Sequence, residues 1–390
     1  MMPRSRWLAL LLCAVAVVAA ASCGGDDEDE RQDEPPSEAE GAAGETETPA
    51  ATADATPALT PVGQGTVTPS PTASPSATPE TVAAPDQPGP YSAGVTVLTF
   101  TRPSTTSGEP RVIETVVWYP TERVLPYDDF LKGARDVDVA PGGPFPMLVF
   151  SHGSGGNTLQ STFLTSHLAS HGFIVAAVSH TGDTTSDCFP CADQEQLADS
   201  YVNRPVDATF VRDQMILTNG FDDATLLSGA IDRERLGVFG HSFGGFTSLA
   251  TLAADAFDAG AVLAPVRIAL PTGRYSEIDV PLLVMGGGLD NTTPFTMQET
   301  IYEESDGTET KILVQLPRAG HLNFTDYCLE GSPGCGPEGI AMDEAHRLVN
   351  LYVTAFFRYF LNGDEAYGSY LGQSFPPEAV VAASSGVDSG

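Results

Sequence analysis

The sequence predicts an α/β fold, with a mostly parallel central sheet and helices on both faces. Continuous apolar runs of strand length alternate with longer amphipathic segments through most of the chain, and strands buried on both faces require such runs. Two earlier runs, GVTVLTF and RVIETVVWYP, alternate apolar and polar residues and indicate an antiparallel beginning. Functional side chains are then expected just beyond the carboxyl ends of the parallel strands.

The predicted elements alternate between strand and helix. The strands are FPMLVFSHG, GFIVAAVSH, RLGVFGHS, AGAVLAP, VPLLVMGGG and TKILVQLP. The helices are TLQSTFLTSHLASHG, RPVDATFVRDQMILTNG, SFGGFTSLATLAADA, TPFTMQETIYEES and EAHRLVNLYVTAFFRYFLNG. Only VRIALPTGRYSEID separates AGAVLAP from VPLLVMG, which is too short for a large cap domain. The site should therefore be open.

The beginning of the chain predicts export. Two arginines precede the apolar run WLALLLCAVAVVAAAS, the order found in export signals. Residues 1–22 are predicted to be a lipoprotein-type signal, because AASCGG resembles the motif in which cleavage precedes an acylated cysteine, here Cys23. Residues 23–90 are acidic and then rich in Thr, Pro and Ser, which predicts a disordered tether. Residues 91–390 are predicted to form one catalytic domain.

This organisation predicts an extracytoplasmic protein held at the cell membrane by a lipid anchor on Cys23, since two acyl chains suffice for stable anchoring. The alternative is ordinary signal cleavage, which would leave Cys23 free and the protein secreted. The formal net charge is −33 and no basic stripe interrupts it, so nucleic-acid binding is not expected. A monomer that acts on neutral or cationic small molecules is favoured.

A nucleophilic serine is predicted in the stretch LGVFGHSFGGFTSLA. The chain contains 39 Gly, so Gly-x-Ser-x-Gly alone could be a glycine-rich turn. Ser242, however, directly follows a predicted strand and precedes a predicted helix, the context in which this pattern forms a nucleophile elbow. Gly240 and Gly244 leave room for the tight turn, and the helix N-terminus favours developing negative charge.

A serine nucleophile needs a base, and the base needs an acid behind it. His321, in LPRAGHLNF, follows TKILVQLP at the required edge of the sheet and is predicted to be the base. Asp290, in VMGGGLDNTTP, is the predicted acid; its competitor, Asp279, precedes a strand and should lie at the wrong edge. Structural roles are expected for His346 in the final helix, for His167 and His171 near the helix before GFIVAAV, and for His241 in the elbow.

The segment FSHGSGG is expected to bind the oxyanion of a tetrahedral intermediate, because small residues after a strand let backbone N–H groups face the site. The first donor is predicted to be the N–H of Ser154, with Gly153 as the alternative. The second is the N–H of Phe243, which follows the nucleophile.

The segments FPMLVFSHGSGGN, LASHGFIVAAVSHTGDT, RPVDATFVRDQM, GVFGHSFGG and AGHLNFTDYC together resemble the α/β-hydrolase fold. Within it they are similar to platelet-activating factor acetylhydrolases and to bacterial dienelactone-hydrolase-like or chlorophyllase-like esterases. The resemblance implies catalytic Ser242, Asp290 and His321, oxyanion donors at Ser154 and Phe243, and no metal or organic cofactor. Ser154 replaces a larger apolar residue of the acetylhydrolases, so their acyl preference does not transfer.

Four cysteines lie in two predicted loops near the site: Cys188 and Cys191 in CFPC, and Cys328 and Cys335 in CLEGSPGC. Export favours two disulfides, with three connectivities open. A redox pair would need a thioredoxin-like context that the sequence lacks, and the spacing in CLEGSPGC does not suit zinc.

The sequence therefore predicts an exported serine hydrolase that cleaves small-molecule or lipid-like carboxylic esters through a Ser-His-Asp triad and an acyl-enzyme. A lipase or polyester hydrolase is the alternative within enzymes. A catalytically silent surface-binding protein on the same fold is the alternative outside them.

Overall fold

The computed structural model describes residues 83–187, 193–220, 225–271 and 273–387. Within them, eleven strands form one sheet. The strands are β1 (Ser92–Pro103), β2 (Pro110–Thr121), β3 (Tyr127–Asp128), β4 (Gly133–Arg135), β5 (Phe145–Ser151), β6 (Ile174–Val178), β7 (Ile231–His241), β8 (Ala259–Leu263), β9 (Leu282–Gly287), β10 (Lys311–Leu316) and β11 (Val380–Ser385). Their order across the sheet is β11-β10-β9-β8-β7-β5-β6-β2-β1-β4-β3.

The sheet is mostly parallel, as predicted. Strands β5 to β10 are all parallel to their neighbours within this set, whereas β1 pairs antiparallel with β2, and β2 antiparallel with β6. Strand β11 adds an antiparallel edge beside β10. Strand β11 could not be predicted from the sequence, because VVAASS is short, half-exposed and without a continuous apolar run.

The helices of the described residues are α1 (Thr162–Ser170), α2 (Gln194–Gly220), α3 (Phe243–Leu252), α4 (Phe295–Glu304), α5 (Met342–Asn362) and α6 (Gly368–Leu371). Helix α2 begins ten residues before the predicted helix RPVDATFVRDQMILTNG, and it carries Pro205 in its interior. Helix α5 ends where predicted, because Gly363 adopts the left-handed conformation that caps helices. None of these helices combines the length and apolarity that crossing a membrane requires.

Alternate residues of the central strands face two separate apolar layers. On β5, Leu148 and Phe150 pack in the layer that holds α1 and α5. Met147 and Val149 pack in the layer that holds α2, α3 and α4. Because successive side chains of a strand point to opposite faces, a strand covered on both sides is apolar throughout. This explains the continuous apolar runs. Among the described residues, no large cap covers the carboxyl edge of the sheet.

The first described residues lie against the α1 and α5 side of the domain. The Nε2 atom of His167 is 2.8 Å from the carbonyl oxygen of Pro85, and Nε2 of His171 is 2.8 Å from that of Gln87. Both histidines therefore fix the end of the segment predicted as a tether. The rest of that segment, with Cys23, lies outside the described residues, as do Cys188 and Cys191.

Candidate active site

Ser242 occupies a sharp turn between β7 and α3. Its φ of 57° and ψ of −119° lie in a region that non-glycine residues rarely adopt. A Cβ at Gly240 would lie 2.3 Å from the carbonyl oxygen of Gly244, and one at Gly244 would lie 1.9 Å from that of Ser151. Only glycine fits these two positions, so the pattern serves the geometry of an elbow here.

Asp290 and His321 meet at the same edge of the sheet, after β9 and β10. Asp290 Oδ2 is 2.7 Å from His321 Nδ1. The carboxylate also accepts hydrogen bonds from the backbone N–H groups of Thr292 and Thr293 and from the Thr293 hydroxyl. Burial disfavours ionisation of Asp290, but the imidazole of His321 and the Thr293 donors outweigh it and lower the pKa of the carboxyl.

His321 also lies beside the elbow. Its ring centroid is 4.6 Å from that of His241, the residue before Ser242, and its carbonyl oxygen is 3.0 Å from His241 Nε2. In the part of the chain that the structure describes, no hydrogen bond joins Ser242 Oγ to the imidazole of His321. Such contacts are often long before substrate binds. The three predicted catalytic residues are thus neighbours at one sheet edge.

The backbone of FSHGSGG distinguishes between Ser154 and Gly153, the two candidates for the first oxyanion donor. The N–H of Gly153 donates to Gln160 Oε1 at 2.7 Å, so this group is occupied. Among the described residues, the N–H groups of Ser154 and Phe243 donate to no acceptor. This geometry favours Ser154 over Gly153 as the first donor, beside Phe243.

A buried ion pair that sequence reasoning missed supports the segment predicted to bind the oxyanion. Asp183 accepts hydrogen bonds from the Ser154 hydroxyl at 2.8 Å and from the N–H of Gly155 at 2.9 Å. Arg204, on α2, pairs with Asp183 and donates to the carbonyl oxygen of His152. In the sequence, Arg204 is the first residue of the predicted helix RPVDATFVRDQMILTNG, and nothing in that position distinguishes a buried arginine from an exposed one.

A second buried network lies next to the first. Asp207 pairs with Arg102, Arg111 and His180, and His180 Nε2 lies 3.1 Å from Ser151 Oγ. Burial of Asp207 disfavours the carboxylate, but the contacts with His180 and Arg111 outweigh burial and lower its pKa to about 2. This network connects β1 and β2 with α2 at the carboxyl end of β5.

The other candidates have different positions. Asp279 is exposed and precedes β9. His346 stacks on Phe163 with ring centroids 3.7 Å apart. Cys328 and Cys335 form a disulfide, with Cα atoms 5.4 Å apart. The pairing therefore lies within CLEGSPGC.

A serine on a strand-to-helix elbow, with a His-Asp pair beyond the next strands of a parallel sheet, defines an α/β hydrolase. The chain belongs to the PET hydrolase-like family (PETase), whose sequence model matches residues 142–386. This confirms the resemblance to α/β-hydrolase esterases seen in the sequence.

The chain is also similar to individual proteins that are named as ester hydrolases. The chain is 30% identical over 224 residues to a platelet-activating factor acetylhydrolase of Canis lupus familiaris, covering 48% of this chain and 49% of that protein. It is 25% identical over 225 residues to cutinase est1 of Thermobifida alba, covering 57% and 63%. The chain thus spans about half the length of the acetylhydrolases. A ferulic acid esterase structure from Streptomyces cinnamoneus has the same fold, with a TM-score of 0.61 and 24% identity over 77% of this chain and 99% of that one.

Proposed function

We propose that this protein hydrolyses carboxylic esters through an acyl-enzyme formed on Ser242. The observation that carries the proposal is the contact of 2.7 Å between Asp290 Oδ2 and His321 Nδ1, beside the elbow that presents Ser242. Membership of the PET hydrolase-like family supports the same reaction class.

In the proposed mechanism, His321 Nε2 removes the proton of Ser242 while Oγ attacks the ester carbonyl carbon. The N–H groups of Ser154 and Phe243 bind the negative oxygen of the tetrahedral intermediate. The intermediate expels the alcohol, which takes the proton from His321. Water then attacks the acyl-enzyme and gives its proton to His321, and collapse releases the acid and restores the Ser242 hydroxyl.

Asp290 makes His321 suitable for this work. A carboxylate at Nδ1 holds the tautomer whose Nε2 is unprotonated, and it stabilises the imidazolium that forms when Ser242 loses its proton. Because the Asp290 side chain is fully buried and bonded to Thr293, its position is set before substrate arrives.

The substrate proposal follows from the open edge of the sheet. Esters with exposed or bulky leaving groups, including lipid-like ones, suit an edge that no cap domain covers among the described residues. Polyester or lipase activity is the second candidate. It is favoured by the match to the PET hydrolase-like family and to proteins named cutinase.

The experiment is a chain-length series. The purified protein is assayed on p-nitrophenyl esters from acetyl to long acyl groups and, in parallel, on polyester film by release of soluble acid. Hydrolysis of the p-nitrophenyl esters without release of acid from film supports the first candidate, and release of acid from film supports the second. No hydrolysis of any ester, together with no labelling of Ser242 by a fluorophosphonate, would contradict both.

The proposal includes placement outside the cytoplasm, with the domain of residues 91–390 tethered by residues 23–90 to a lipid on Cys23. Replacing the cysteine removes the atom that carries the acyl chains. We expect Cys23→Ser to move the protein from the membrane fraction to the soluble exported fraction, or to leave it unprocessed, with esterase activity retained. Mass spectrometry of the wild-type N-terminus is the check, and an unmodified Cys23 would favour ordinary secretion.

A further inference from the structure

We infer that Gln160 and His241 are positioning residues that join the oxyanion segment to the loop carrying His321. The inference rests on the proposed function, because it concerns how the same site is held in its working geometry. Its basis is a chain of three hydrogen bonds that runs from the N–H of Gly153 to the carbonyl oxygen of His321.

The direction of each hydrogen bond follows from the first. The N–H of Gly153 can only donate, so the Gln160 atom 2.7 Å from it is the amide oxygen. The amide nitrogen of Gln160 therefore faces His241 Nδ1, at 2.6 Å, and donates to it. With Nδ1 accepting, the proton of a neutral His241 is on Nε2, which donates to the carbonyl oxygen of His321 at 3.0 Å.

The surroundings keep His241 in the neutral form that this arrangement needs. Gln160 is 7% exposed and His241 is 2% exposed. Burial, and then the nearby His321, hold the pKa of His241 well below its ordinary value. A protonated His241 would carry a hydrogen on Nδ1 and would meet the NH₂ group of Gln160 donor to donor. The pair is therefore built to stay uncharged.

The three bonds reach all the parts that the proposed reaction must bring together. Gly153 precedes the predicted oxyanion donor Ser154, and a Cβ on Gly153 would lie 3.3 Å from the Cβ of Ser242. His241 precedes Ser242 in the chain. His321 is held at its backbone by this chain of bonds and at its ring by Asp290. A change at Gln160 should thus displace the oxyanion donor and the base together.

The test uses two variants at different links and one matched control. Gln160→Met keeps the length of the side chain but removes both hydrogen bonds, and His241→Phe removes the link to His321. The control is Gln298→Met on α4, because Gln298 is also buried and its amide also donates to a backbone carbonyl, that of Pro265. A fluorophosphonate counts the active sites in each preparation, so kcat refers to folded enzyme only.

We expect both variants to lower kcat per active site about 10- to 100-fold, as displacements of about 1 Å do at other sites, with KM changed much less. The double variant should have a kcat no lower than that of the less active single variant, because both substitutions act through one chain of bonds. The control should retain wild-type kcat. Wild-type kcat per site in Gln160→Met, or an equal loss in the control, would overturn the inference. An inactive, unlabelled wild-type protein would instead overturn the proposed function and this inference with it.

Discussion

Replacing Asp290 by asparagine exchanges a carboxylate for an amide of the same shape, and the structure determines which way that amide must face. The backbone N–H groups of Thr292 and Thr293 both donate to Asp290 Oδ1 at 2.8 Å. An NH₂ group cannot accept these bonds, so the amide oxygen takes the Oδ1 position. The NH₂ group then takes the Oδ2 position, 2.7 Å from His321 Nδ1.

In that arrangement the amide donates to Nδ1, and the imidazole is held with its proton on Nε2. This tautomer cannot accept the proton of Ser242, so kcat should fall about 10⁴-fold, which is about 5.5 kcal/mol of transition-state stabilisation. The fold should remain intact. The Thr293 hydroxyl loses the acceptor at Oδ2, but the carbonyl oxygen of Ala264 already lies 3.1 Å from it.

The assay is kcat and KM on a short p-nitrophenyl ester at neutral pH, with thermal unfolding to verify the fold. Asp279→Asn is the matched control, since Asp279 is exposed and precedes β9; it should behave as wild type. A folded Asp290→Asn variant whose kcat stays within about tenfold of wild type would refute the tautomer argument. A large loss in Asp279→Asn instead would move the acid to that residue.

Three further predictions concern other parts of the domain. Ser242→Ala and His321→Ala should each abolish ester turnover, and only the serine variant should lose its phosphonylation site, as mass spectrometry of the labelled peptide will show. Replacing both Cys328 and Cys335 by serine removes the disulfide and should lower the free energy of unfolding by about 2 kcal/mol, because the bond closes a short loop. An unchanged denaturant midpoint would contradict this. The pKa of Asp207 is about 2 in the fold against an ordinary 3.8, so its stabilisation is complete above pH 3.8 and is lost as pH falls towards 2. Asp207→Asn should therefore flatten the acid limb of stability against pH.

The sequence predicted the elements and the carboxyl edge well, because both depend on strong local signals. The apolar runs of β5 to β10 are continuous since two layers cover the sheet. Ser242 could be located because Gly240 and Gly244 leave a readable pattern around it. Asp290 and His321 follow strands directly, so the order of strands is sufficient to place them at one edge. Each of these residues lies just after a strand, and the sequence alone can predict such a position.

The supporting residues could not be predicted in this way, because their roles depend on contacts between distant segments. Gln160 and His241 are 81 residues apart and Arg204 and Asp183 are 21 apart, and each pair meets only in the folded domain. A lone glutamine before a helix has no distinguishing pattern. Likewise, β11 pairs with the edge of β10, and its own composition does not predict a strand.

Gln160 and Asp183 make their contacts on either side of the peptide N–H of Ser154. Gln160 holds the N–H of Gly153, while Asp183 holds the Ser154 hydroxyl and the N–H of Gly155. The N–H of Ser154 lies between them, so its direction is set by bonds on both sides although it forms none among the described residues itself.

The contacts of Arg204 give a reason for a buried ion pair beneath the segment FSHGSGG. A buried pair seldom stabilises a fold more than apolar packing of the same volume would, and this chain has only 18 Lys and Arg against 51 Asp and Glu. Arg204 nevertheless lies fully buried beneath the segment, bonded to Asp183 and to the carbonyl oxygen of His152. Its guanidinium holds the carbonyl oxygen of His152 directly and holds Ser154 through Asp183, which apolar packing cannot do. A rigid donor with no partner of its own is what stabilisation of an oxyanion requires, so the proposed role of Ser154 depends on this ion pair as well as on Gln160.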